Sequence, residues 1–197
     1  MSSDDDLFAA DDAATPLTPQ ERHDLIPTYV ALRSELNEVE ALNVAAGERW
    51  ALSRKRDVLD EVIVQRLHLR MFGDVWRWAG KYRSSERNIG VAPHIVPVAM
   101  RQTIEDAKYW VEHKSWPSDE LAVRFSHKLV SVHPFPNGNG RWSRLAGDLL
   151  AMQLGEQRFT WGSGSIASIS DTRRAYVDAL KKADGGNIGP LLAFARS

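Results

Sequence analysis

The stretch VHPFPNGNGRWSRL, Val132–Leu145, joins two apolar helical patterns through a loop that packing alone does not explain. Gly138-Asn139-Gly140 offers two residues free of a Cβ and one that tolerates left-handed backbone angles. Successive N–H groups in such a turn converge on an anion. A helix opening near Gly140 aims its own unpaired N–H groups and positive dipole end at the same point. Arg141 falls in its first turn, and Arg144 lies three residues later on a neighbouring part of that face. Guanidinium forks match phosphate oxygens. His133 stands at the loop entry, where an imidazole titrating near neutrality can take a proton from a hydroxyl. Phe135 is expected to bury itself and pin the loop. The loop therefore reads as a polyphosphate cradle beside a base.

Outward from the loop, the patterning is helical. Leu121, Phe125 and Val132 mark the preceding helix, opened by Pro117-Ser118-Asp119-Glu120, and GRWSRLAGDLLAMQLG the following one, with Gly155 as terminator. DTRRAYVDALKKAD, capped near Asp171 and closed by Gly185-Gly186, and IGPLLAFARS give two more. Upstream, Thr18-Pro19-Gln20-Glu21 is a capping box with proline at the first helical position. A longer helix follows, with Leu32, Leu36, Val39 and Leu42 along one face. Another carries Val58, Val62, Leu67 and Met71, and DVWRWAG reads as a brief helix ending at Gly80. Residues 81–97, KYRSSERNIGVAPHIVP, lose the helical period and are expected to form a small β-hairpin flap. Met100, Ile104, Ala107 and Val111 resume it. The fold class is all-α with that one hairpin.

The chain has 197 residues, enough for one domain with a real core, and its 43% hydrophobic and 26% charged residues are those of a globular protein. The net charge of −1 gives no electrostatic reason for direct nucleic-acid binding, and the absence of cysteine excludes disulfides and thiolate metal sites. Residues 1–17 are acidic and short of large apolar groups, so they are expected to be disordered, with a single domain over 18–197. They show no basic leader, and no apolar run is long enough to span a membrane; a cytoplasmic location is expected. His127 and His133, six apart, fall on different helix faces and do not suggest a shared metal.

The spacing His133-x-Phe135-x-x-Gly138-Asn139-Gly140-Arg141-x-x-Arg144 resembles the HxFx(D/E)GNGRxxR signature of the Fic/Doc family, at seven specified positions within twelve. WAGKYR looks like that family's flap entry and SHKLVSVHPF like its pre-motif helix. With SELNEVE and LLAFARS, the chain is similar to the bacterial subgroup called mobile mystery protein B. The resemblance implies a Fic-fold helical bundle and AMP transfer from ATP to a Ser, Thr or Tyr hydroxyl of a target protein. His133 would be the base, Gly138, Asn139, Gly140, Arg141 and Arg144 would bind ATP phosphates, and Ile89 and Val91 would dock the target along the flap. It also implies Mg²⁺ (or Mn²⁺) at the acidic position, which is Asn137 here. An amide oxygen brings no charge to a hard cation. Many relatives carry an inhibitory (S/T)xxxE(G/N) helix; Ser34 and Glu38 supply SxxxE, which would pair Glu38 with Arg144. A toxin-antitoxin role and a helix-turn-helix partner protein follow by the same analogy. Two other functions stay open: a nucleotide-binding regulatory protein with little turnover because of Asn137, and Doc-type transfer of a different phosphate-containing group.

Overall fold

The computed structural model describes residues 18–164 and 169–197, so the expected acidic tail over residues 1–17 lies outside the described residues. Eight α-helices follow in order among them: α1 Pro19–Asp24, α2 Arg33–Leu52, α3 Glu61–Phe72, α4 Val96–Glu112, α5 Ser118–Val132, α6 Asn139–Gln153, α7 Ile169–Asp184 and α8 Gly189–Ala195. The core is built around α6, most of whose residues are buried. Trp142, Leu145, Ala146, Leu149, Leu150 and Ala151 are all buried on it. A helix apolar around most of its circumference belongs inside a bundle. α5 packs beside it through Leu121, Phe125 and Leu129, and α3 through Val64, whose carbonyl accepts the Trp142 Nε1–H at 2.9 Å. Asp148 is the acidic residue buried on α6. Burial raises its carboxyl above the usual range, against the pull of Arg158 Nε at 2.7 Å and Trp161 Nε1 at 2.7 Å, which fix the loop after α6.

The capping box forms as its residues dictate. Glu21 N–H donates to Thr18 Oγ1 at 3.3 Å and Thr18 N–H to Glu21 Oε2 at 2.9 Å. Glu21 then reaches Arg33 at 2.6 Å and ties α1 to α2. Asp60 caps α3 through the Val62 N–H at 2.8 Å.

Three expectations need correction. On α2 the buried face is Leu36, Asn43, Gly47 and Ala51, and Leu42 is 65% exposed. α2 and α3 approach too closely for large side chains, since a Cβ on Gly47 would lie 2.6 Å from Met71 Cα. Asn43 fills the same seam by donating to the Arg70 carbonyl at 3.2 Å. On α3, Val62 is 59% exposed, and Val64, Leu67, His68, Met71 and Phe72 form the inner face. The 74–80 segment makes single turns in place of a helix, because Val75 O accepts from Ile26 N–H and Arg77 N–H donates to Asp24 O.

The flap is not a hairpin. Among the described residues there is one isolated bridge, Leu25 with Trp76, and no strand pair over 81–97. Both arms of the flap bond a third segment: Arg83 N–H donates to Pro134 O at 2.9 Å and Val91 N–H to Val132 O at 3.3 Å. A 3-10 turn at Pro93–Ile95 then leads directly into α4. The flap thereby rests on the loop that carries His133.

Candidate active site

α5 ends at Val132, and His133 caps it in the left-handed region at φ 52°, ψ 58°. A non-glycine residue there costs about 1–2 kcal/mol and persists where its surroundings over-determine it. The His133 carbonyl accepts Arg83 Nε–H at 2.7 Å. Phe135 is fully buried, stacked on the His68 ring at 3.6 Å and set edge-on to Trp142 at 4.9 Å. Removing such a ring costs about 3–5 kcal/mol. The pinning role expected for it matches this packing.

The loop then turns at Gly138, φ 79°, where a Cβ would lie 2.5 Å from Phe72 Cζ. Only glycine meets both demands. Gly138 is also the N-cap of α6, and no side chain caps that helix, which leaves its first-turn N–H groups for another acceptor. Asn139 does not offer its side chain to a ligand. It is buried and braces the loop, with Oδ1 accepting Phe135 N–H at 3.0 Å and Nδ2 donating to Phe135 O at 2.9 Å. A contribution of Asn139 to anion binding is thus a main-chain one. Asn137 folds its Oδ1 onto the Gly138 N–H at 2.7 Å. Among the described residues there is no group of three or more His, Asp or Glu that could hold a metal.

His68, which no sequence motif marks, sits behind the loop, against Phe135 and Asn137. Gly80 N–H donates to its Nδ1 at 3.0 Å, which makes Nδ1 an acceptor and leaves Nε2–H to donate to the Asn137 carbonyl at 3.0 Å. Burial pushes its pKa from 6.5 down to about 3, with the Asn137 bond opposing and the Arg141 charge adding to the shift. The sign is that of a group held neutral when folded. Its contribution to stability is complete above pH 6.5 and is lost as pH falls toward about 3. Stability is expected to fall by up to about 1.4 kcal/mol for each pH unit below that point. Urea unfolding and the His68 Cε1–H resonance check this together: a resonance that moves near neutral pH would contradict it.

The two arginines of α6 diverge. Arg141 NH1 donates to Glu40 Oε2 at 2.6 Å, with its guanidinium over the Phe72 ring at 4.8 Å. Arg144 lies over the Tyr176 ring of α7 at 4.8 Å, and its NH1 is 3.9 Å from where a Gly140 Cβ would stand, beside the first turn of α6. The expected Glu38–Arg144 pair is replaced by Glu40–Arg141. Glu38 is exposed, whereas Glu40, about 200° further round α2, turns inward and also accepts Trp76 Nε1–H at 2.7 Å. Ser34 sits in the first turn of α2, six residues before Glu40. On the flap, Ile89 is 47% exposed, whereas the main-chain groups of Val91 are already bonded within the protein. Its N–H is held by Val132 O and its carbonyl by Arg83 NH2. His127 accepts no ligand role either; it is bonded to Asp184 at 2.7 Å, joining α5 to α7. The residues that motif reading missed here are Glu40, His68, Arg83 and Tyr176. Of these only Arg83 carried a signal, as the last residue of WAGKYR.

Comparison with known proteins agrees with this geometry. Residues 58–151 match the model of the Fic/DOC family. The chain is 26% identical over 148 residues to protein adenylyltransferase fic-1 of Caenorhabditis elegans, covering 73% of this chain and 28% of that protein. It is 28% identical over 165 residues to protein adenylyltransferase Fic of Aedes aegypti, covering 81% and 32%. The chain thus spans about a third or less of these curated relatives. Among solved structures, Fic-1 (residues 134–508) of C. elegans superposes with a TM-score of 0.63 at 24% identity, over 82% of this chain and 47% of that one. BepC of Bartonella tribocorum, with bound AMPPNP, superposes at 0.70 and 16% identity over 94% and 92%, a likeness of fold.

Proposed function

The chain carries a Fic/DOC family domain at residues 58–151, and from that premise we propose that it is a protein adenylyltransferase, moving AMP from ATP to a hydroxyl of a target protein. The observation that carries the reading is the placement of His133 next to the uncapped start of α6, with Arg144 beside that first turn. The names of the curated relatives and the AMPPNP in BepC support it.

The polyphosphate of ATP fits this cradle. Main-chain N–H groups of residues 139–141 and the Arg144 guanidinium hold phosphate oxygens, and Arg141 joins them once it leaves Glu40. His133 Nδ1 is buried, so Nε2 faces the target hydroxyl. The hydroxyl oxygen attacks the α-phosphorus, its proton passes to Nε2, and the bond from the α-phosphorus to the bridging oxygen breaks. Pyrophosphate leaves with the electron pair, its growing charge met by the arginines and helix amides. Ile89, exposed on the flap, supports docking of an extended target segment there. The domain extends over 18–197, with α2 as a restraining helix that acts through Glu40.

The Mg²⁺ of the family fits poorly. The position offers an amide oxygen already engaged by Gly138 N–H. That contact favours a second reading, nucleotide binding with little turnover. Intact mass of the protein and of Glu40→Gln after incubation with ATP and each divalent cation separates the two. An added AMP supports transfer; bound nucleotide without covalent product supports the second. Asn137→Asp is expected to raise Mg²⁺-dependent AMP transfer by about tenfold or more, because a carboxylate adds charge where the amide adds none. A magnesium titration of the two forms reads the difference, and superimposable curves would count against it.

A further inference from the structure

Three successive carbonyls surround the base, and residues of the flap take all three. Val132 O accepts from Val91 N–H at 3.3 Å, His133 O from Arg83 Nε–H at 2.7 Å, and Pro134 O from Arg83 N–H at 2.9 Å. The same guanidinium donates NH1 to Ser85 O at 3.0 Å and NH2 to Val91 O, so it also holds both arms of the flap. Arg83 is 3% exposed. All its hydrogen-bond acceptors are main-chain carbonyls, arranged so that only a planar fork with several donors reaches them together; an ammonium would reach one or two.

Gly90 closes the arrangement from the flap side. Its φ is 88°, and a Cβ there would stand 2.5 Å from His133 Cβ, 2.8 Å from Val132 O and 3.0 Å from Arg83 NH2. The flap backbone therefore lies directly on the base, with no room for a side chain between them. His133 keeps a backbone conformation that an L-residue rarely adopts, and its carbonyl is fixed by a group belonging to the flap.

We propose that Arg83 is a positioning residue that joins flap and base into one unit, so that His133 holds its reactive placement only while the flap is seated. A target segment that docks on the flap then acts on the base through the Arg83 guanidinium, without touching the imidazole. The activity arm of this inference rests on the adenylyltransferase reading; its exchange arm does not.

The test compares the full chain with Arg83→Lys, Arg83→Met and Gly90→Ala. Amide hydrogen exchange at Arg83 and Val91 should rise together in Arg83→Met, by about tenfold or more, because one opening releases both. In the Glu40→Gln background AMP transfer should fall about 10²-fold, the usual cost of a misplaced reacting group. ATP affinity by calorimetry should stay within about twofold, since the amides of α6 are not touched. Arg83→Lys should recover part of the transfer. A purely structural role would lower ATP affinity and transfer alike, and that result overturns the proposal. So does independent exchange of the two amides. If no form labels itself or a target with AMP, the adenylyltransferase reading fails, and the paired exchange still decides the coupling. If Arg83→Met shows no cooperative melt, Gly90→Ala takes its place: both amides should lose protection together, and exchange unchanged at Arg83 would refute the unit.

Discussion

Replacing His133 by alanine is expected to lower AMP transfer by about 10²–10⁴-fold, the usual worth of a positioned proton acceptor. ATP affinity should be roughly unchanged. The two effects separate because the imidazole and the anion cradle are built from different parts. His133 belongs to the end of α5, and its backbone is held by Arg83. The phosphate-facing amides belong to the start of α6, whose turn is set by Gly138 against Phe72 and by the Asn139 brace on Phe135. Asparagine at 133 is the matched control, since it accepts the left-handed conformation and cannot take the proton. Rates are best compared in the Glu40→Gln background, with the label followed by intact mass. Transfer that persists in both variants within a few-fold of the parent would remove His133 from the reaction.

The loop was readable because its determinants are local. A cap, two glycines and two arginines within twelve positions act on their own neighbours, and the helices on either side carry a clear apolar period. The structure keeps Phe135 buried and α6 starting at Asn139 for the same reasons. What escaped reading was set by contacts far apart in the chain. Leu42 continues an apolar period, yet α2 turns Asn43 and Gly47 inward because α3 needs a close seam. The loss of helical period over 81–97 suggested a hairpin, but the main-chain partners of the flap are Val132 and Pro134, past α4 and at the far end of α5 in the chain. Likewise a spacing rule selected Glu38, whereas the carboxylate that reaches the site is the one that packing rotates toward Trp76 and Arg141.

Glu40 is therefore the place where restraint is removed with least damage. In Glu40→Gln the amide oxygen can still accept the Trp76 Nε1–H, so the buried indole keeps its partner while Arg141 loses the carboxylate charge it faces. A charge-assisted bond of this kind contributes about 1.5–3 kcal/mol, less at Arg141 because its side chain is 37% exposed and partly screened by solvent. About 1–2 kcal/mol remains, so ATP affinity is expected to rise roughly 5- to 30-fold, with a parallel rise in AMP label. Glu40→Ala should show the same gain in affinity together with a lower melting temperature, because Trp76 Nε1–H then loses its acceptor. Glu38→Gln, on the exposed side of α2, should change neither. Calorimetry on the three variants is decisive. A gain in Glu38→Gln equal to that in Glu40→Gln would mean that the effect comes from the general charge of α2, and the contact with Arg141 would then have no part in restraint.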